Sequence, residues 1–167
     1  MYYLRKSRFR RFTMAYKLPG FKASTGMKTF ENLPDGDYEL HCEKCEVKDP
    51  KKPSPTDVWT FSFTVLEGPP DVNGKPSKGR KYTEFVNIMR PEHPKYNPEW
   101  DDPASTGKTQ MGIDQLKSMA LAMGVTGKGD QLNPDAFAGT ECKCHIIIQK
   151  GSDGKDYNRG RAWAPLD

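Results

Sequence analysis

The sequence lacks any hydrophobic run long enough to cross a membrane. A bilayer-spanning helix needs roughly 20 consecutive apolar residues, whereas the mean hydropathy of this chain is −0.83 and only 35% of its residues are hydrophobic. Charged residues make up 29% of the chain, which is typical of a soluble globular protein. We therefore expect no membrane partner.

Catalytic constellations are also missing from the sequence. The three histidines, His41, His93 and His145, are scattered, and no serine or cysteine has an evident base nearby. The carboxylates fall mostly in predicted loops or on the outer faces of predicted strands, as solvated charges do. The sequence therefore predicts a protein that is not an enzyme and that uses no cofactor.

Positive charge is scarce outside the N-terminal segment. The chain has 26 Lys and Arg against 22 Asp and Glu, a formal net charge of +4. Five of the basic residues and none of the acids lie in residues 1–13, so the other 21 basic and 22 acidic residues carry a charge of −1. We divide the chain into a basic arm, residues 1–20, and a single domain, residues 21–167. Three interpretations of the arm stay open: a disordered phosphate-binding segment, a transit-like peptide, or an extension upstream of a natural start at Met14.

Cysteine is limited to two close pairs, Cys42 with Cys45 and Cys142 with Cys144. Four thiolates make a good zinc site, but such ligands normally lie on turns, and both pairs fall in strand-like segments. Cys142 and Cys144 alternate with neighbouring isoleucines onto one apolar face. The pattern favours buried, reduced thiols. A zinc site formed by all four cysteines is the alternative, and a disulfide is disfavoured because nothing marks the chain as secreted.

The order of the predicted elements indicates a small β-barrel. At 167 residues the chain is long enough for one domain with one core. Alternating patterns predict strands at residues 37–48, 58–67, 80–89, 140–150 and 157–164, and a 3.6-residue period predicts a helix at residues 109–124. Five strands with one helix between the third and fourth are typical of an OB fold. The expected fold class is therefore mainly β, a five-stranded OB-fold barrel.

Two local details of these elements are predicted as well. In the first strand the apolar alternation slips so that Cys45 returns to the core face, which indicates a bulge near Glu43 and Lys44. In the helix one stripe is apolar, and Gln115 lies outside it. We therefore expect the Gln115 side chain to face water.

Aromatic and basic residues alternate in the last strand. Tyr157, Arg159, Arg161 and Trp163 share one face of an ideal strand. On such a face the rings can stack on bases while the arginines pair with phosphates. The alternative is that Tyr157 and Trp163 pack under the C-terminus. We take these four residues as the main candidates for binding single-stranded DNA.

Further candidates come from the third and fourth strands. Phe85 and Lys81 lie on the polar face of the third strand, where a large ring is unexpected; Phe85 is a candidate for base stacking and Lys81 for a phosphate contact. Packing of Phe85 against a loop is the alternative. Arg80, Lys143 and Lys150 are expected to extend the basic rim of the same surface.

Five runs of sequence, taken in order, resemble a bacteriophage family. They are FSFTVLEGPP, KGRKYTEFVNI, MGIDQLKSMALAMGV, FAGTECKCHIII and DYNRGRAWAP. Together they span about residues 33–165 and are similar to phage single-stranded DNA-binding proteins with an OB fold, a family long catalogued as a domain of unknown function. Each run is short, so the specificity of the resemblance lies in the ordered set.

The resemblance implies a protein that coats exposed single-stranded DNA during phage replication or recombination. It implies a location in the cytoplasm of the infected bacterial host, with phage or host replication and recombination proteins as further partners. A second function stays open: an OB-like interaction module that recruits replication proteins without binding nucleic acid. Self-association is compatible with both functions.

Overall fold

The computed structural model describes residues 31–48, 56–93, 108–129 and 131–167. Contacts within the chain separate residues 1–31 from a compact unit, residues 32–167. Every element described below belongs to the second unit. The predicted basic arm, residues 1–20, lies outside the described residues.

Five antiparallel strands and one α-helix make up this unit. The strands are β1 (Gly36–Lys48), β2 (Thr56–Glu67), β3 (Lys81–Met89), β4 (Glu141–Lys150) and β5 (Asp156–Pro165). Helix α1 (Lys108–Ala122) and a short 3-10 helix (Pro134–Phe137) lie between β3 and β4 along the chain. The strands form one sheet in the order β3-β2-β1-β4-β5, which places β3 and β5 at its edges. The predicted mainly β class, with one α-helix between the third and fourth strands, is confirmed.

Alternation along β2 builds the centre of the core. Phe61, Phe63 and Val65 are buried, whereas the hydroxyl-bearing residues between them are partly exposed. Phe61 stacks on Phe63 with 6.2 Å between ring centroids and meets Phe137 edge-on at 5.1 Å. Such aromatic pairs add about 0.5–1.5 kcal/mol beyond the burial of their area. These aromatic residues therefore lie at the centre of the core.

The predicted bulge is present in β1. The register with β2 shifts between Cys42 and Lys44, which leaves Glu43 as the extra residue. The shift returns Cys45 to the buried core. A bulge bends a strand and increases its twist. β1 can therefore pair with β2 along most of its length and with β4 through residues 36–41.

Gly112 allows helix α1 to lie directly on β3. A Cβ atom at this position would lie 2.1 Å from the carbonyl oxygen of Asn87, far inside van der Waals contact. The helix contacts both edge strands, β3 and β5. It buries Met119 in the core, and Met123, just after the end of the helix, is buried there as well. Helix α1 thus packs across the two edges of the sheet.

In the part of the chain that is described, no helix is long and apolar enough to cross a membrane.

Candidate nucleic-acid interface

Strand β5 contains a bulge that divides its side chains between two faces. Lys143 of β4 pairs with Ala164 and His145 pairs with Arg161, so β5 has one residue more than β4 in this interval. Ala162 has a φ of 48°, in the left-handed region that some bulges use. Side chains before and after the bulge therefore do not follow one alternation.

Trp163 packs against the core because of this bulge. Its ring lies 5.6 Å from the ring of Phe63, and a Cβ atom on buried Gly160 would lie only 2.3 Å from Trp163 Cζ2. The alternation predicts Trp163 on the same face as Arg161, and this is wrong because the extra residue at Ala162 reverses the phase of the strand. Within the described ranges the Trp163 indole Nε1 is buried without a hydrogen-bond partner. Trp163 is thus a partly buried ring that packs against the core.

Tyr157 precedes the bulge and lies at the surface. It is 46% exposed, and its hydroxyl donates a hydrogen bond to Asp153 in the β4–β5 turn. This bond raises the pKa of Tyr157 and lowers the pKa of Asp153, because it favours the neutral phenol and the ionised carboxylate. The ring is therefore held in place at the turn end of β5.

The two arginines of β5 differ in their partners. Arg161 is exposed, and its guanidinium has no ion-pair partner among the residues that the structure describes. The Arg159 side chain is 42% exposed, and its Nη1 lies 3.5 Å from Glu84 Oε1 on β3. Arg161 is therefore open to an anion, whereas Arg159 is already held at the edge of the sheet.

Glu84 is a buried carboxylate that the sequence analysis missed. It is 1% exposed, and donors surround both of its oxygens. Oε2 accepts hydrogen bonds from the Tyr82 hydroxyl and, at 2.7 Å, from the backbone N–H of Gly160. Oε1 accepts a hydrogen bond from Gln115 Nε2 at 3.0 Å and faces Arg159. Because a buried charge is tolerated only when it is paired and hydrogen-bonded, Glu84 joins β3, α1 and β5 into one polar network.

A signal for Glu84 was present in the sequence. Along β3 it stands between Tyr82 and Val86 on the buried face, where an acid requires donors from neighbouring elements. Gln115 provides one of these donors, so the prediction that Gln115 faces water is wrong. Burial of Tyr82 and the nearby carboxylate both disfavour a phenolate, and they raise the pKa of Tyr82 well above its usual range.

Phe85 and Lys81 lie on the outer face of β3, as the alternation predicts. Phe85 is 50% exposed. Lys81 donates hydrogen bonds to Glu43 and, at 2.7 Å, to Thr64 Oγ1, and its bond lowers the pKa of Glu43. The charge of Lys81 is therefore balanced locally, whereas the ring of Phe85 is accessible to a ligand.

The three predicted rim residues lie in different settings. Lys143 donates to Asp167 Oδ2 at 2.5 Å, a bond that raises the pKa of Lys143 and lowers the pKa of Asp167. Lys150 is exposed at the end of β4. Arg80 is half-buried immediately before β3. The rim is thus divided between β4 and the start of β3, and Asp167 reduces the positive charge that Lys143 offers to a phosphate.

The predicted site residues gather mainly on the two edge strands. β3 contributes an exposed ring and a lysine, and β5 contributes an exposed ring and two arginines. We call the boundary between these strands, formed by Glu84, Arg159 and Gly160, the β3–β5 seam. Exposed rings can stack on bases, and cations can pair with phosphates. The two edge strands therefore carry the two components that a single-strand binding surface needs.

The four cysteines are free thiols buried in the core, as the alternation of their strands indicates. Burial raises the pKa of Cys42 to about 11 and those of Cys45 and Cys142 to about 12, and it also raises the pKa of Cys144. Within the described ranges, no three His, Cys, Asp or Glu side chains are grouped so that they could hold a metal ion. The described residues therefore provide no set of ligands for the alternative of a zinc site.

A scan of the sequence against models of known protein families finds no match, and a search of curated proteins finds none either. The function must therefore be inferred from the residues and their arrangement.

Proposed function

We propose that residues 32–167 form an OB-fold barrel closed along the β3–β5 seam. Strands β3 and β5 contact one another, and helix α1 contacts both. The Glu84 carboxylate bridges the two strands by accepting the Gly160 backbone N–H. Drawing the edges together in this way would protect the unpaired backbone groups of an open sheet.

The function that this surface supports best is binding of single-stranded DNA without sequence preference. The observation that carries the proposal is the grouping of exposed rings with arginines on the edge strands, namely Phe85 and Tyr157 with Arg159 and Arg161. Every base has a face on which a ring can stack, and every nucleotide has a phosphate. Such a surface suits a protein that coats exposed strands during phage DNA replication or recombination in the cytoplasm of an infected bacterium.

The cations at this surface differ in the role that we assign to them. Arg161 is exposed without an acidic partner among the described residues, so it contacts phosphate directly. Lys81 and Lys143 are paired with Glu43 and Asp167, and they contribute weaker, salt-screened attraction. Trp163 is assigned to the core and not to a base.

Binding of a labelled oligonucleotide tests the proposal. The 167-residue protein is titrated into fluorescently labelled single-stranded and duplex DNA of the same sequence, at two salt concentrations, and the fluorescence anisotropy is followed. We expect tighter binding to the single strand, and weaker binding at higher salt because phosphate contacts release counterions. Absence of binding to single-stranded DNA would contradict the proposal.

A charge variant of the arm separates its contribution from that of the barrel. In the 167-residue chain, the five basic residues of the arm are replaced by glutamine, and the titration is repeated; they are Arg5, Lys6, Arg8, Arg10 and Arg11. Retained preference for the single strand would support the barrel as the binding unit, whereas complete loss would reduce the barrel to a scaffold. Stable association with a replication protein, without any DNA binding, would instead favour the interaction-module function.

A further inference from the structure

We propose that Glu84 is a positioning residue that holds Arg159 in place for contact with a DNA phosphate at the β3–β5 seam. This inference rests on the proposed function, because it concerns the same surface. Glu84 is 1% exposed and does not itself reach a ligand. Its Oε1 lies 3.5 Å from Arg159 Nη1, and the Arg159 side chain extends from there to the surface with 42% of its area exposed.

The guanidinium of Arg159 can contact the Glu84 carboxylate and a DNA phosphate at the same time. It has five N–H donors in a planar fork, and Glu84 faces only its Nη1 end. The donors on the exposed part of Arg159 remain accessible to a phosphate. Holding one end of a long side chain reduces the entropy that it loses when a ligand binds, so the buried carboxylate prepares Arg159 for binding.

The orientation of Glu84 is itself fixed from three directions. Tyr82 on β3, Gln115 on α1 and the backbone of Gly160 on β5 all donate hydrogen bonds to its carboxylate. The position of Arg159 is therefore set relative to the whole seam and not to β5 alone. A carboxylate held in this way is a firmer anchor than an exposed acid, whose side chain samples many rotamers.

The same geometry gives a path for the DNA. Phe85 follows Glu84 on the outer face of β3, and Tyr157 precedes Arg159 by two residues on the outer face of β5. Each edge strand thus carries one exposed ring close in sequence to a residue of the seam. We infer that the single strand crosses the seam, with bases stacked on Phe85 and Tyr157 and the intervening phosphate bound at Arg159.

Replacement of Glu84 by glutamine tests the inference, because the two explanations predict opposite changes in the affinity for single-stranded DNA. If Glu84 only adds negative charge near the DNA, Glu84→Gln increases the affinity. If it positions Arg159, Glu84→Gln weakens binding although a negative charge is lost, and the slope of log affinity against log salt falls by about 0.7, the loss of one single-strand phosphate contact. Glu67→Gln is the matched control, because it removes the same charge from an exposed acid paired with Lys78 outside the seam.

A second pair of variants gives an answer even where Glu84→Gln fails to fold. Lysine keeps the charge of arginine but has one compact ammonium group, which the buried carboxylate would occupy. Arg159→Lys is therefore expected to lower the salt slope by about 0.7. Arg161→Lys makes the same change at an exposed position where no acidic partner among the described residues competes for the ammonium group, so we expect the salt slope to fall more in Arg159→Lys than in Arg161→Lys.

The outcomes separate this inference from the proposed function. If the wild-type protein does not bind single-stranded DNA, the proposed function fails. If the wild-type protein binds, but Glu84→Gln increases the affinity or Arg159→Lys lowers the salt slope no more than Arg161→Lys does, DNA binding stands and the positioning role of Glu84 is overturned.

Discussion

The backbone N–H of Gly160 in β5 donates a hydrogen bond to Glu84 Oε2 in β3 at 2.7 Å. In an extended sheet the partner of such an edge N–H would be a backbone carbonyl of the next strand. Here the side-chain carboxyl group of a buried residue takes that place. The same residue therefore links the sheet edges and faces Arg159, a candidate DNA contact, so stability and binding depend on one group.

Loss of the Glu84 carboxylate is expected to destabilise the protein. Glu84→Ala leaves the Gly160 N–H and the donors of Tyr82 and Gln115 without their acceptor. Each buried donor left unsatisfied costs about 1–3 kcal/mol. We expect a decrease of at least about 2 kcal/mol in the free energy of unfolding, measured by urea denaturation.

The control for this prediction is an exposed acid. Glu67→Ala removes a carboxylate whose partner, Lys78, is also exposed, and an exposed pair of this kind contributes roughly 0–1 kcal/mol. Equal stability losses in the two variants would show that the buried network around Glu84 adds nothing beyond a surface ion pair.

Residues with a regular pattern could be predicted from the sequence. Phe61 and Phe63 alternate with small hydroxyl residues, and the slip after Cys42 indicated the bulge at Glu43. These features depend on the local period of side chains, which a sequence displays directly. The five strands, the helix between the third and fourth, and the outer-face positions of Phe85 and Tyr157 follow from the same period.

Residues whose position depends on a distant part of the chain could not be placed in this way. Trp163 faces the core because Ala162 adopts a left-handed conformation. Alanine rarely adopts a positive φ, so its presence in the sequence does not indicate this conformation. Gln115 turns inward because Glu84, 31 positions away, is buried opposite it. Both outcomes require the packing of α1 and β5 on the sheet, which a local pattern does not contain.

Removal of either exposed ring is expected to weaken binding to single-stranded DNA. Phe85→Ala or Tyr157→Ala removes one stacking platform, and each stacked base contributes about 1–3 kcal/mol. Oligonucleotide anisotropy titrations at constant salt give the change in affinity. Because stacking involves no phosphate, the salt slope is expected to stay at the wild-type value.

Two matched variants keep this prediction specific. Tyr157→Phe retains the ring but loses the bond to Asp153, and we expect it to bind more tightly than Tyr157→Ala. Val72→Ala removes an apolar group that is 97% exposed in the loop between β2 and β3, and it should leave the affinity unchanged. A similar loss in Val72→Ala would indicate nonspecific contact with any exposed apolar group.

The raised thiol pKa values predict a loss of stability above pH 9. In the unfolded chain a thiol ionises near its ordinary pKa of 9.0, whereas in the folded protein the pKa is about 11 for Cys42 and about 12 for Cys45 and Cys142. Above pH 9 the unfolded state thus binds fewer protons, so the free energy of unfolding decreases as pH rises. By pH 10 the decrease reaches up to about 1.4 kcal/mol per thiol.

Urea denaturation at pH 8 and pH 10, under reducing conditions, checks this dependence. At pH 8 the thiols are mostly protonated in both the folded and the unfolded state, so they contribute little to the pH dependence of the free energy of unfolding. Cys142→Ala removes one ionisable group, so the difference between the two pH values should be smaller in this variant than in the wild-type protein. Identical stability at the two pH values would mean that the thiols ionise as readily in the folded protein as in the unfolded chain.

A side chain at position 160 is expected to conflict with Trp163. The Cβ atom of Gly160→Ala would lie 2.3 Å from Trp163 Cζ2 and 2.9 Å from Cys144 Sγ, and forcing extra atoms into a packed core typically costs about 1–3 kcal/mol. Trp163→Phe removes the indole benzo ring that contains Cζ2. If the contact with Trp163 causes the loss, Gly160→Ala costs less stability in the Trp163→Phe background than in the wild-type protein, as measured by a double-mutant cycle of urea denaturation. Additive losses would instead place the conflict at Cys144 or in the backbone, and would remove the reason for assigning Trp163 to the buried side of the β5 bulge.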